Sequence, residues 1–119
     1  MKKVNIEKKF NLFEEQWSPK IVGQVNDMYI KLAKLEGEFE WHKHDDEDEM
    51  FYVFRGRLEM HFRDKIEKLD EGEFIVVPKG VDHKPAAKDE AEIVLFESKD
   101  TVNTGDNKSN RTVTDLEWI

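Results

Sequence analysis

Apolar and polar residues change period once near the start of the chain. Over residues 1–20 the apolar anchors are Phe10, Leu12, Phe13 and Trp17, and Phe10, Phe13 and Trp17 have helical spacing. That predicts a short helix or turn, which Ser18-Pro19 would end. From Ile21 the period becomes two. Ile21–Val25 and Met28–Leu35 read as strands separated by the turn pair Asn26-Asp27. Phe39–His44, Met50–Phe54, Leu58–Phe62, Ile66–Leu69, Phe74–Val77 and Ile93–Phe96 follow, with Gly, Pro or Asp between them and Arg63-Asp64-Lys65 as a hairpin turn. Short strands at this spacing, with almost no helix, predict a sandwich or barrel.

The faces of these strands differ. Leu58-Glu59-Met60-His61-Phe62 alternates, as a half-buried strand does. Met50–Phe54, Phe74–Val77 and Ile93–Phe96 are apolar on both faces. One face of a small barrel points inward, so the second needs a cover: the N-terminal segment, the C-terminal tail or a second subunit. A homodimer is the expectation, with Met50, Tyr52 and Phe54 as interface candidates. Residues 99–110 have no period and read as a loop, while Val113, Leu116, Trp118 and Ile119 form an apolar tip that should pack. The expected plan is one domain over 1–119: an arm at 1–20, a barrel core at about 21–97 and an extended tail at 98–119.

Composition narrows the chemistry. There is no cysteine, so disulfides, thiolate metal sites and cysteine nucleophiles are excluded. That fits a reducing, cytoplasmic setting. Met1–Glu7 lacks the apolar core of a signal peptide, and no apolar run is long enough to span a bilayer. The net charge of -8 argues against nucleic acid, because phosphates are neutralised by Lys and Arg. A small-molecule ligand or another protein is the expected partner.

Three of the four histidines and one glutamate fall at suggestive spacings. His42 and His44, two apart on an extended segment, project from one face. Glu49 lies beyond the acidic turn Asp45–Asp48, and His83 follows Pro78-Lys79-Gly80. A closed sheet can bring all four to one point. Imidazole and carboxylate donors suit a divalent transition metal (Fe, Mn, Ni, Co, Cu or Zn) rather than calcium. Asp45, Asp46, Glu47 and Asp48 read as a solvated turn that raises the local cation concentration. Parity with Glu49 puts Phe51 and Val53 in a pocket beside the metal, with Met60, Phe62 and Phe96 as further walls. Trp41 has the wrong parity to reach it. His61 should be exposed, and Arg55, Arg57 and Lys79 either hold an anionic ligand at the mouth or form surface ion pairs.

The stretch Gly37-x4-His42-x-His44-x4-Glu49-x6-Gly56 resembles the first cupin motif, and Gly72-x5-Pro78-x-Gly80-x2-His83 resembles the second. The first spacing is one residue short, and Ala87 stands where Asn is common. Residues Gly37–Ala87 carry the resemblance. It implies a single antiparallel jelly-roll barrel whose metal ligands are His42, His44, Glu49 and His83. Small cupins of this kind are sometimes labelled mannose-6-phosphate isomerase-like. The ligand set leaves positions open on the metal, as catalysis requires. Dioxygenase-type chemistry is the favoured expectation. Sugar or sugar-phosphate isomerisation ranks below it, because no glycine-rich phosphate loop or clear base is evident. A non-catalytic ligand- or metal-binding module is the other alternative.

Overall fold

The computed structural model describes all 119 residues as one helix and seven strands. Helix α1 is Ile6–Phe10, and the strands are β1 Lys20–Val25, β2 Met28–Glu38, β3 Glu49–Arg55, β4 Leu58–His61, β5 Ile66–Leu69, β6 Phe74–Val77 and β7 Lys84–Ser98. Every pairing between these strands is antiparallel. The ladder runs β1-β2-β7-β3-β6, and β4 joins β7 to β5. This is an antiparallel jelly-roll barrel.

Strand β7 holds the two sides together. Its C-terminal part pairs with both β2 and β3, while Lys84–Ala86 pair with β4. Between them Lys88–Glu90 are exposed. The polar run 88–90 hides this strand in the sequence, so only Ile93–Phe96 of its 15 residues is legible there. Conversely, Phe39–His44 does not form the expected strand. Strand β2 ends at Glu38, and the next stretch carries only an isolated bridge between His42 and His83.

Alternation separates two apolar clusters. The inner face buries Leu35, Phe51, Val53, Leu58, Met60, Leu69 and Ile93, with Val53, Leu58, Met60 and Ile93 at zero exposure. Each such side chain contributes about 1.5–3 kcal/mol. The outer face packs Leu32 and Val94 against Phe10, Phe13 and Val22, with Tyr52, Phe54 and Ile119 at the margin.

The N-terminal segment supplies most of that second cover. Asn5 caps α1 by accepting from the Lys8 amide at 2.9 Å, and Phe10 stacks on Phe54 at 5.6 Å. The helix stops at Phe10, so Trp17 is not on its face. Instead the Trp17 amide donates to the Lys34 carbonyl, its indole donates to the Glu36 carbonyl, and its ring stacks on Phe39 at 4.6 Å. At the other terminus the chain lies alongside β1, with Ile21 donating to the Glu117 carbonyl and Ile119 donating to the Ile21 carbonyl. Trp118 meets Tyr29 edge-on at 5.5 Å.

Candidate metal centre

Two loops and the start of β3 build the site. The bridge between His42 and His83 is a reciprocal pair of backbone hydrogen bonds of 3.0 and 2.9 Å. Gly80 donates to the His44 carbonyl at 2.7 Å, so the turn that carries His83 is tied to the loop that carries both other histidines. Glu49 opens β3, held between Val77 of β6 and Glu97 of β7. The segment from Thr101 crosses over this end of the barrel. Asp106 and Lys43 exchange hydrogen bonds, and Gly105 packs so close that a Cβ there would collide with the Lys43 carbonyl.

His42, His44, Glu49 and His83 each present one donor atom, and those four atoms lie within 4.8 Å of one another. All four residues are buried. The Nδ1 atoms of His42 and His83 each lie 2.9 Å from a carbonyl oxygen, those of Glu40 and Val81. Such carbonyls hold the proton on Nδ1 and leave Nε2 as a lone-pair donor. Glu49 Oε1 sits 3.2 Å from His44 Nε2 and 3.4 Å from His83 Nε2, yet all three atoms lack a hydrogen-bond partner. Buried polar atoms left orphaned together are costly. A divalent cation would satisfy them all at once, so the residues present fit a metal.

Electrostatics keeps His42 and Glu49 in the ligating form. Burial, reinforced by neighbouring His83, pushes His42 down to about 4, so its ring is neutral at ordinary pH. Burial works against the charge of Glu49, but the adjacent Glu97 carboxyl and the His44 and His83 imidazoles hold its carboxyl well below the usual range. Burial also opposes charge on His44, yet Glu49 outweighs it and raises that imidazole. A cation in the cluster would take over the role of that proton. Glu97 is driven the other way: burial and then the charge of Glu49 raise it well above a normal carboxyl.

A cavity of about 40 Å³ adjoins the cluster, bounded by His42, Glu49, Glu97 and Asn103 and by the apolar side chains of Trp17, Ala33, Leu35, Phe39, Phe51 and Leu95. Of the five expected wall residues, Phe51 lines it. Val53 and Met60 lie in the closed apolar core instead. Phe62 borders a groove of about 820 Å³ on the outside, between β5 and β6. Phe96 pairs with Met50, one position out of phase with Glu97 and Leu95, and so faces the outer side. Trp41 stays out of the site, beneath the Arg63 guanidinium at 3.8 Å. His61 is half-buried and bonded to Glu59, away from the cluster. Arg55 and Arg57 lie at the far end of β3, paired with Glu7, Glu92 and Asp70, so they do not guard the mouth. The Lys79 amide is bound by Asp48, which gives that acidic residue a turn-forming role.

Sequence reasoning passed over Trp17, Phe39, Glu97 and Lys31. For Glu97 and Lys31 a signal was present: each continues the inward parity of an apolar strand with a charged residue. Glu97 follows Ile93 and Leu95, and Lys31 precedes Ala33 and Leu35.

An antiparallel barrel with a buried three-histidine, one-glutamate cluster at one end defines a class of β-barrels whose cluster could hold a metal. The family model described as Cupin domain matches residues 28–98, and the chain belongs to the cupins. Among solved structures, a cupin-2 domain containing protein from Shewanella frigidimarina is 48% identical, with a TM-score of 0.80 over 81% of this chain and 94% of that one. Protein NMB1881 from Neisseria meningitidis is 29% identical, with a TM-score of 0.76 over 82% of this chain and 100% of its own. An uncharacterized Bacillus subtilis protein, YdbB, is 39% identical over 64 residues, which are 53% of this chain and 57% of that relative. The chain thus spans little more than half of that relative's length.

Proposed function

We propose that this cupin binds one divalent transition metal through His42, His44, Glu49 and His83 and acts as a metal-dependent enzyme on a small molecule. The observation that carries the reading is the convergence of buried, partnerless donor atoms at one point. A bound metal would supply Lewis acidity at coordination positions left open by four protein ligands. The chain's own residues do the rest. The Glu40 and Val81 carbonyls fix the imidazole tautomers, and Trp17, Phe39, Phe51 and Leu95 exclude water from the adjoining cavity.

Oxidation of a small, largely apolar molecule by dioxygen is the chemistry we favour. No Lys or Arg borders the cavity, so a sugar phosphate finds no cradle there, and the isomerase alternative ranks lower. A non-catalytic binding module is the second reading, favoured by the small volume of the cavity. Oxygen consumption by the Fe(II)-loaded protein with a panel of diketones and phenols separates the two. Uptake dependent on both metal and substrate supports the enzyme, and metal binding without turnover supports the module.

We also propose that the chain forms a homodimer. Phe74 and Val76 are 62% and 49% exposed on β6, beside Tyr52 and Met50, and are left uncovered by α1. Light scattering on purified protein tests this, and a monomer at micromolar concentration would contradict it. No helix is long and apolar enough to cross a membrane.

A further inference from the structure

Three ionisable side chains stand together on β2, β7 and β3 at the metal end. Lys31, Glu97 and Glu49 are 1%, 2% and 4% exposed. Glu49 and Glu97 are direct partners across the β3–β7 ladder. The Lys31 ammonium donates to Glu97 Oε1 at 2.8 Å and approaches the Thr101 carbonyl at 3.5 Å. Glu97 Oε2 has no partner, and Glu97 borders the cavity beside the cluster.

Stability alone is a poor reason for this arrangement. Replacing a buried ion pair by apolar side chains of similar volume is often neutral or stabilising. The same strands do carry apolar residues at their next inward positions: Ala33, Leu95 and Phe51. The buried Lys31–Glu97 pair is therefore confined to the level of the candidate ligands.

We infer that Lys31 and Glu97 are positioning residues for the metal centre. Lys31 fixes the carboxyl of Glu97 from one side. Glu97, facing Glu49 across the ladder, in turn restricts rotation of the Glu49 carboxylate and keeps its Oε1 turned toward His44 and His83. The contact with Thr101 links this chain of groups to the segment that crosses the barrel mouth. Groups that orient a ligand in this way typically change metal affinity by about 10–100-fold. The inference rests on the metal reading above, and its test separates the two.

The test uses the full chain with Co(II) and Cu(II) as probes, comparing wild type, the double variant Lys31→Met/Glu97→Leu and the single variant Glu97→Gln. Circular dichroism and Tm report folding, calorimetry reports Co(II) affinity, and Cu(II) electron paramagnetic resonance reports the ligand field. The double variant should fold with an unchanged or higher metal-free Tm, bind Co(II) about 10–100-fold more weakly and show altered Cu(II) hyperfine splitting. Glu97→Gln can still accept from Lys31 and donate to Glu49, so it should recover most of the affinity. Wild-type affinity and an unchanged spectrum in the double variant would overturn the positioning role and leave the metal reading intact. Failure of the wild type to take up either ion would overturn both. If the double variant does not fold, Lys31→Met and Glu97→Leu are measured singly against the same criteria.

Discussion

The two ends of the barrel interior are built on the same three strands and differ in kind. On β3, Glu49 is followed inward by Phe51 and Val53. On β2, Lys31 is followed by Ala33 and Leu35, and on β7, Glu97 is preceded by Leu95 and Ile93. One end is closed by interlocking apolar side chains with almost no exposed surface. The other buries three imidazoles, two carboxylates and an ammonium, several with no partner. The comparison teaches a division of labour: the apolar end holds the fold together, while the polar end is held in place by it at some expense of stability. Mutations at the two ends should therefore move different observables.

The largest effect expected at the apolar end is on stability. Met60→Ala removes a fully buried side chain and should cost about 2–5 kcal/mol. Denaturant unfolding of the metal-free protein checks this, and metal stoichiometry measured below the midpoint should stay unchanged. At the polar end the converse is expected. His83→Ala should leave metal-free stability near wild type but abolish stabilisation by added metal. For the wild type that stabilisation is about 4 kcal/mol when the metal is present at a thousandfold its Kd. A Tm series with and without Co(II) reads both numbers.

Acid sharpens the contrast further. His42 is neutral and buried, with a folded value of about 4 against the ordinary 6.5. Between these values the unfolded chain binds the extra proton and the folded chain does not, so stability falls as pH is lowered through this window. The contribution reaches at most roughly 3 kcal/mol. In His42→Asn that part of the slope should vanish, as urea unfolding of metal-free protein between pH 4 and pH 6.5 would reveal. The smallest effect is expected at the mouth. Gly105 has φ +56° and no room for a side chain, so Gly105→Ala should displace the covering segment. That costs about 1 kcal/mol at this half-buried position. It should also raise protease sensitivity near residue 105 while leaving Co(II) stoichiometry intact.

The same contrast explains what the amino-acid sequence disclosed. Period-two patterning exposes strands whose inner face is apolar, so β3, β4 and β6 were legible almost to the residue. The first half of β7 was not, because Lys88, Asp89 and Glu90 are exposed in mid-strand and their run of charge reads as a loop. Phe39–His44 alternates like a strand but lacks a ladder partner except at His42. The candidate ligands stood out because imidazoles in two motifs are conspicuous. Lys31 and Glu97 were passed over because a single charge in a strand usually marks a solvent face, although their parity with Ala33 and Leu95 pointed inward and the register bears that parity out. Phe96 was misplaced for a related reason: a strand apolar on both faces gives no sign of which residues are inside, and Glu97 settles the parity.

Elemental analysis of protein purified without chelators, alongside alanine variants of His42, His44, Glu49 and His83, bears most directly on the account. It predicts one divalent transition metal per wild-type chain and loss of that metal in each folded variant. A wild type that neither carries nor takes up such a metal, or folded variants that retain it at full occupancy, would contradict it.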